Sequence, residues 1–369
     1  MSDNKIRVLH VFSGVGGGIS TWIRKAAYFS NDKYIIDAMA FSISNKAGFV
    51  DIIKENGGMC YEMPRIRNGL QTLIMFVTNI IKENDYDVIH CHIDGYAIIP
   101  IWFPARVLCG KKIIIHSHRT AIEKIAEKKY ARNIYIINRF INKIIARNKV
   151  ACGEKASLFA FGKSKDVKIL YNGINPILDD IIPNNNDDDN EIINIVALGR
   201  LNKVKNHHYM LQIARTLKEI GVDFHFYIVG DGDLRDSLAS TISELGLEEC
   251  VSLEGYCDTP EVYLKKCDVL IMPSFSEGLP TVMLEAQEYG CGVISSNLVT
   301  RECDLDFGLV SYLGIETKDI NSWVRHIADH KKKNTIIRKE IFNSRLSEKG
   351  FLNKTIYEEY YEYLKNLVE

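Results

Sequence analysis

The sequence predicts an α/β protein of two doubly wound parallel-sheet domains, and three observations carry that prediction. The chain has 369 residues, too many for one ordinary core at roughly 150 residues per domain. Short runs rich in Ile and Val alternate with longer amphipathic runs, the pattern of parallel strands covered by helices on both faces. The segment NPILDDIIPNNNDDDNE, Asn175 to Glu191, is rich in Asn and Asp, holds two prolines and has no periodicity; it reads as a linker or surface loop.

In the first half the expected strands are RVLHVF, YIIDAMAF, VIHCHI, KIIIHSH, KVACG and VKILYNG, separated by helical stretches such as GLQTLIMFVTNIIKEN. The second half repeats the pattern with INIVALGR, FHFYIVGDG, VSLEGY, VLIMPS and GVISSN. The expected division is a first domain over 1–175, a linker over 176–191, a second domain over 192–349 and a closing segment over 350–369. That last segment reads as an amphipathic, tyrosine-rich helix able to pack on either domain, the first among them.

Composition narrows the class. Hydrophobic residues make up 46% and charged residues 25%, as in soluble globular proteins. Charge is unevenly divided: residues 1–175 carry 26 Lys and Arg against 14 Asp and Glu, and the remainder 20 against 33. A basic half points to a polyanionic or membrane-surface partner. The nine cysteines include no C-x-x-C pair, so the expectation is a reducing compartment, cysteines acting as small hydrophobes, and no structural zinc. The N-terminus MSDNKIRVLHVFSG lacks a signal-peptide core, and no run of 18 apolar residues occurs, so no spanning helix is expected. The expected location is the cytoplasm, with peripheral contact at the inner face of the cell membrane.

Ligands of open α/β sheets bind beyond the carboxyl ends of the strands. In GRLNKVKN, Arg200 and Lys205 stand at a strand-to-helix turn. Two cations at a helix start oppose the helix dipole unless an anion sits there. In PSFSEGLPTVMLEAQ, Glu277 precedes a helix and Glu285 lies within it. Gly278 allows close backbone approach, Pro280 suits a first turn, and the helix start offers free N–H groups. Glu277 suits sugar-type hydroxyls, and Glu285 suits the vicinal hydroxyls of a ribose. His118, just past a buried strand in HSHRT, is a candidate donor or acceptor facing the cleft, with an ordinary pKa of about 6.5. His116 reads as an alternating strand residue, and His92 as a weaker counterpart of His118. The glycine-rich turn HVFSGVGGGIST breaks the G-x-G-x-x-G dinucleotide pattern at Ile19. It remains a loop able to approach a ligand.

Four features occur in order: the first glycine loop, HSH, GRLNKVKN, and Glu277 with Glu285 eight positions on. With them come LYNGIN and VGDG. Together they resemble the family 4 retaining glycosyltransferases of GT-B fold, in which two Rossmann-like domains face a central cleft. The likeness covers nearly the whole chain and is nearest to bacterial exopolysaccharide and capsule enzymes. It implies that Arg200 and Lys205 grip the diphosphate of a nucleotide-sugar donor, a UDP-sugar rather than a GDP-sugar. Glu277 would meet the donor sugar, the stretch Gly278, Leu279, Pro280 and Thr281 the sugar and phosphate, Glu285 the ribose, and Tyr256 the base. His118 and the loop of Gly16, Gly17 and Gly18 would face donor phosphate and acceptor. Two positions depart from the pattern: the family's G-G-A-E loop reads Gly17–Gly18–Ile19–Ser20 here, without its acid, and Asn175 stands where Asp is usual.

The resemblance further implies retention of anomeric configuration with no protein nucleophile. Asp231–Asp233 and Asp304–Asp306 have D-x-D spacing but read as turn residues, so no required metal or other cofactor is expected. The stretch 111–149 carries eleven cations and two acids among Ile, Tyr and Phe, which suits an anionic bilayer and a polyprenyl-diphosphate-linked saccharide acceptor. No nucleic-acid partner is expected. The rival readings are an NAD-dependent oxidoreductase, a nucleotide-sugar epimerase, and a catalytically silent glycosyltransferase partner subunit.

Overall fold

The structure is a computed structural model, and it describes residues 5–120, 129–162, 165–181, 192–330 and 336–369. The chain divides into two compact units. Among the described residues the first takes those up to 173, together with 350–369, and the second takes 174–349. The segment expected as a linker is described only to Ile181, and its residues 182–191 lie outside the described residues.

The first unit is built on strands β1 (Ile6–Phe12), β2 (Tyr34–Ala40), β3 (Cys60–Glu62), β4 (Val88–Cys91), β5 (Lys112–Ser117), β6 (Asn148–Ala151) and β7 (Val167–Ile169). They form one parallel sheet in the order β3-β2-β1-β4-β5-β6-β7. Its helices are α1 (Gly18–Tyr28), α2 (Phe49–Glu55), α3 (Leu70–Glu83), α4 (Ile99–Trp102), α5 (Lys129–Ile145) and α6 (Glu154–Phe161). Central strands β1 and β4 are buried along most or all of their length, which is why they read as unbroken apolar runs instead of alternating ones.

The second unit repeats the plan with β8 (Ile193–Leu198), β9 (Phe224–Val229), β10 (Val251–Gly255), β11 (Val269–Met272), β12 (Gly292–Ser296) and β13 (Val310–Leu313). Their order is β10-β9-β8-β11-β12-β13. Helices α7 (His207–Glu219), α8 (Arg235–Glu244), α9 (Glu261–Leu264), α10 (Thr281–Glu288), α11 (Ile320–His330) and α12 (Lys339–Glu348) belong to it. The last helix, α13 (Asn353–Val368), returns to the first unit, where Tyr357, Tyr360 and Leu364 are buried in a core with Trp22, Tyr34 and Val88.

Three features depart from expectation. Strands β3 and β13 were not foreseen; one is three residues long and partly exposed, the other four residues and half-buried, so neither shows a clear period. Cys267 and Cys291, expected as free hydrophobes, are joined in a disulfide with Cα atoms 6.2 Å apart. Each lies just before one of two adjacent parallel strands, where Val269 pairs with Gly292; a separation of 24 residues in sequence hides that proximity. No helix among the described residues is long and apolar enough to cross a membrane.

Candidate active site

In both sheets the strand order reverses beside the first strand, between β1 and β4 and between β8 and β11. A crevice opens at such a switch point because the connections leave to opposite faces. In the second unit the loops that flank it are those of Arg200–Lys205, after β8, and Ser274–Pro280, after β11. Most of the residues singled out in that half lie on these two loops or the helix that follows.

Local chemistry shapes the first loop. Asn202 accepts from the backbone N–H groups of Val204 and Lys205, at 3.0 and 3.2 Å, closing a 3-10 turn over Lys203–Lys205. Asn206 takes a left-handed conformation at the N-cap position of α7. Its side-chain amide donates to the Pro273 carbonyl (3.2 Å), and Phe275 N–H donates to the Val204 carbonyl (2.9 Å). The two loops are thereby fastened to each other. Gly199 (φ +142°) leaves room for the Lys205 side chain, whose Cε would lie 2.8 Å from any Cβ there.

Lys205 Nζ meets Glu277 Oε1 at 2.9 Å, with both side chains mostly buried. This ion pair joins the two loops at the switch point. Arg200 is exposed, before the turn. Gly278 and Leu279 are partly buried, Pro280 is buried, and Thr281 opens α10. Glu285 sits half-buried within α10. Tyr256, after β10, is 45% exposed and donates to Asp258 at 2.9 Å. The D-x-D pairs are turn residues: Asp231 accepts from Gly232 N–H (2.8 Å), Asp304 from Asp306 N–H (2.9 Å), and Lys349 pairs with Asp306 (2.8 Å).

In the first unit, Gly16 (φ +115°) and Gly17 (φ +110°) lead into α1, where Gly18 begins the helix beside Asn172. Ser20, standing where the resemblance has an acid, accepts from Gly16 N–H at 2.9 Å and donates to the Gly17 carbonyl at 3.0 Å. His118 belongs to a larger array than the sequence reading foresaw. Register pairs His10 with His90, and period-two spacing adds His92, His116 and His118. His10 Nδ1 meets His92 Nε2 (2.9 Å), His92 Nδ1 meets His118 Nε2 (2.8 Å), and His90 Nε2 meets His116 Nδ1 (3.2 Å). Tyr360 Oη of α13 bonds both His90 Nδ1 (2.8 Å) and His10 Nε2 (3.1 Å). Burial holds all five histidines below the ordinary range, His10 and His118 at about 3. Two histidine trios have ligating atoms within 4.8 Å of one another. Repeated H-x-H at the ends of neighbouring strands was the signal, and His10, His90 and Tyr360 were missed because strand order is not written in sequence.

Residues 179–343 match the family model described as glycosyl transferases group 1. The Bacillus subtilis (strain 168) protein EpsF is 31% identical over 351 residues, covering 89% of this chain and 88% of EpsF. An Escherichia coli UDP-Gal:alpha-D-GlcNAc-diphosphoundecaprenol alpha-1,3-galactosyltransferase is 26% identical over 291 residues, covering 72% of this chain and 71% of that enzyme. The crystal structure of Anabaena HepE with UDP and glucose superposes with a TM-score of 0.73 at 16% identity, covering 98% of this chain and all of HepE's. Two doubly wound units with this likeness define the GT-B architecture. The chain belongs to the group 1 glycosyl transferases.

Proposed function

We propose that the chain moves a sugar from a nucleotide diphosphate, UDP rather than GDP, onto a polyprenyl-diphosphate-linked saccharide in bacterial capsule or exopolysaccharide synthesis. In this reading the anomeric configuration is retained and no metal is required. The observation that carries it is the Lys205–Glu277 pair at the second unit's switch point, beside exposed Arg200. A donor diphosphate would take over Lys205 from Glu277 and free that carboxylate for the sugar hydroxyls. The bond from the anomeric carbon to the diphosphate breaks as the acceptor oxygen bonds from the same face, and the acceptor proton leaves with the diphosphate. Arg200, Lys205 and the α10 N-terminus would stabilise the charge gathering on the leaving group, the task a metal performs elsewhere. Glu285 would hold the ribose, and Tyr256 the base. The stretch from Gly278 to Thr281 would line sugar and phosphate, and His118 with Gly16, Gly17 and Gly18 would face donor phosphate and acceptor. The UDP bound to HepE and the lipid-diphosphate acceptor named for the E. coli relative support donor and acceptor classes.

Peripheral membrane contact belongs to the same reading. Of the basic stretch 111–149, residues 121–128 lie outside the described residues, Lys124 and Lys128 among them. On α5, Ile136, Ile137, Phe140 and Ile144 are each more than half exposed; Arg132 and Lys143 on the same helix, and Arg147 just past its end, are exposed too. The helix contains no acidic residue. An apolar stripe edged by cations suits the interface of an anionic bilayer.

The test is a thermal shift with UDP, GDP and NAD, followed by transfer from a labelled UDP-sugar to a polyprenyl-diphosphate saccharide with EDTA present. Stabilisation by UDP and metal-free transfer with retained configuration are expected. Stabilisation by NAD alone, inversion, or activity restored only by Mg²⁺ overturns the reading.

A further inference from the structure

We propose that His92, His116 and His118 form a binding site for a first-row transition-metal dication, zinc in particular, apart from the donor chemistry of the second unit. Nitrogens of these three rings lie within 4.8 Å of one another. Tetrahedral zinc held by imidazoles at about 2.0–2.1 Å needs nitrogens roughly 3.4 Å apart, within reach of small side-chain rotations. His116 Nε2 is fully buried and has no hydrogen-bond partner. A neutral buried nitrogen without a partner carries a desolvation cost, which a metal bond would offset.

One set of ring tautomers compatible with the surrounding bonds leaves the lone pairs a metal needs. If His90 Nδ1–H and His10 Nε2–H both donate to Tyr360 Oη, then His90 Nε2 and His10 Nδ1 must accept. His116 therefore carries its proton on Nδ1, and His92 on Nε2. The free lone pairs are then His116 Nε2 and His92 Nδ1. His92 Nδ1 and His118 Nε2 now share one proton at 2.8 Å. Moving the His118 proton to Nδ1 turns that hydrogen bond into two metal bonds, with no net proton release. His10 and His90 orient the ligand rings from behind, as outer partners of histidine ligands do. The other trio, His10, His90 and His92, is disfavoured because both nitrogens of each ring are already engaged. His118 is the partly exposed member, so the ion enters from its side. Three imidazoles with one open position suit zinc, cobalt, nickel or copper. A bound ion would occupy His118 and slow transfer while leaving the metal-free enzyme active.

The experiment titrates the full chain with Co²⁺, reading the visible bands of tetrahedral cobalt, and with Zn²⁺ by equilibrium dialysis. One equivalent per chain and a zinc-dependent rise in melting temperature are expected. His116→Ala and His118→Ala should each weaken binding at least about tenfold, and His225→Ala, in the second unit, should not. Circular dichroism checks folding; if His116→Ala does not fold, the His118→Ala and wild-type titrations decide. Absence of a saturable cobalt signal in wild type, or His118→Ala binding as tightly as wild type, overturns the proposal.

Discussion

Lys205 shows how a single side chain is held ready. Its stem crosses Gly199, its backbone N–H is capped by Asn202, and its ammonium faces Glu277. Replacing Arg200 or Lys205 by Ala is expected to cost about 3 kcal/mol of transition-state stabilisation, roughly a hundredfold in turnover. Steady-state rates beside melting curves check this, and wild-type rates in both variants would remove the clamp assignment. Lys205→Ala should also melt lower than Arg200→Ala, because it leaves Glu277 largely buried without its cation. Nearby, His207 is 2% exposed, and burial, aided by the charges of Lys205 and His208, pushes its pKa down to about 4 against a backbone bond with Asn202. The folded form therefore resists a proton that the unfolded chain takes up near pH 6.5. His207's contribution is fully present above that pH and is lost as pH falls toward 4, at up to about 1.4 kcal/mol per unit. Urea titrations between pH 7 and 4 should show a shallower acid decline in His207→Gln than in wild type.

At the scale of elements, the ends of β8 and β9 meet backbone to backbone. A Cβ at Gly230 (φ +144°) would lie 1.9 Å from the Gly199 carbonyl oxygen, and one at Gly232 2.5 Å from that of Leu201. The VGDG turn is thus required by packing as well as by any ligand. Helix α13 has a comparable duty in the first unit. Tyr357, Tyr360 and Leu364 are fully buried, and Tyr357 Oη donates to the Trp22 carbonyl at 3.2 Å. Burying three such side chains is worth about 5–9 kcal/mol, comparable to the whole stability of a domain. Deleting 350–369 should therefore leave the first unit unfolded while the second keeps its own transition. Calorimetry that still finds two transitions after the deletion would contradict this.

For the molecule as a whole, the uneven charge predicts where it goes. Wild type should co-sediment with phosphatidylglycerol vesicles at low salt and be released at high salt, since each cation near an anionic surface contributes about 1 kcal/mol and the Debye length is about 8 Å at physiological ionic strength. A variant with Lys124, Lys128, Lys129 and Arg132 changed to Gln should bind weakly, and one with Ile136, Phe140 and Ile144 changed to Ser should bind weakly even at low salt. Equal sedimentation of wild type and both variants would make the stretch a solvated face.

The sequence by itself determined the two-sheet plan, because buried parallel strands must be apolar runs and their connecting helices amphipathic. It also marked Arg200, Lys205, Glu277 and Glu285, since strand-end loops carry the polar residues of such sheets. Only the tertiary structure decided which of these touch. It paired Lys205 with Glu277, residues on different loops, and joined Cys267 to Cys291 across adjacent strands. It returned Tyr360 to His10, 350 positions away in sequence. Strand order and register fix those neighbours, and both follow from long-range packing that no local period records.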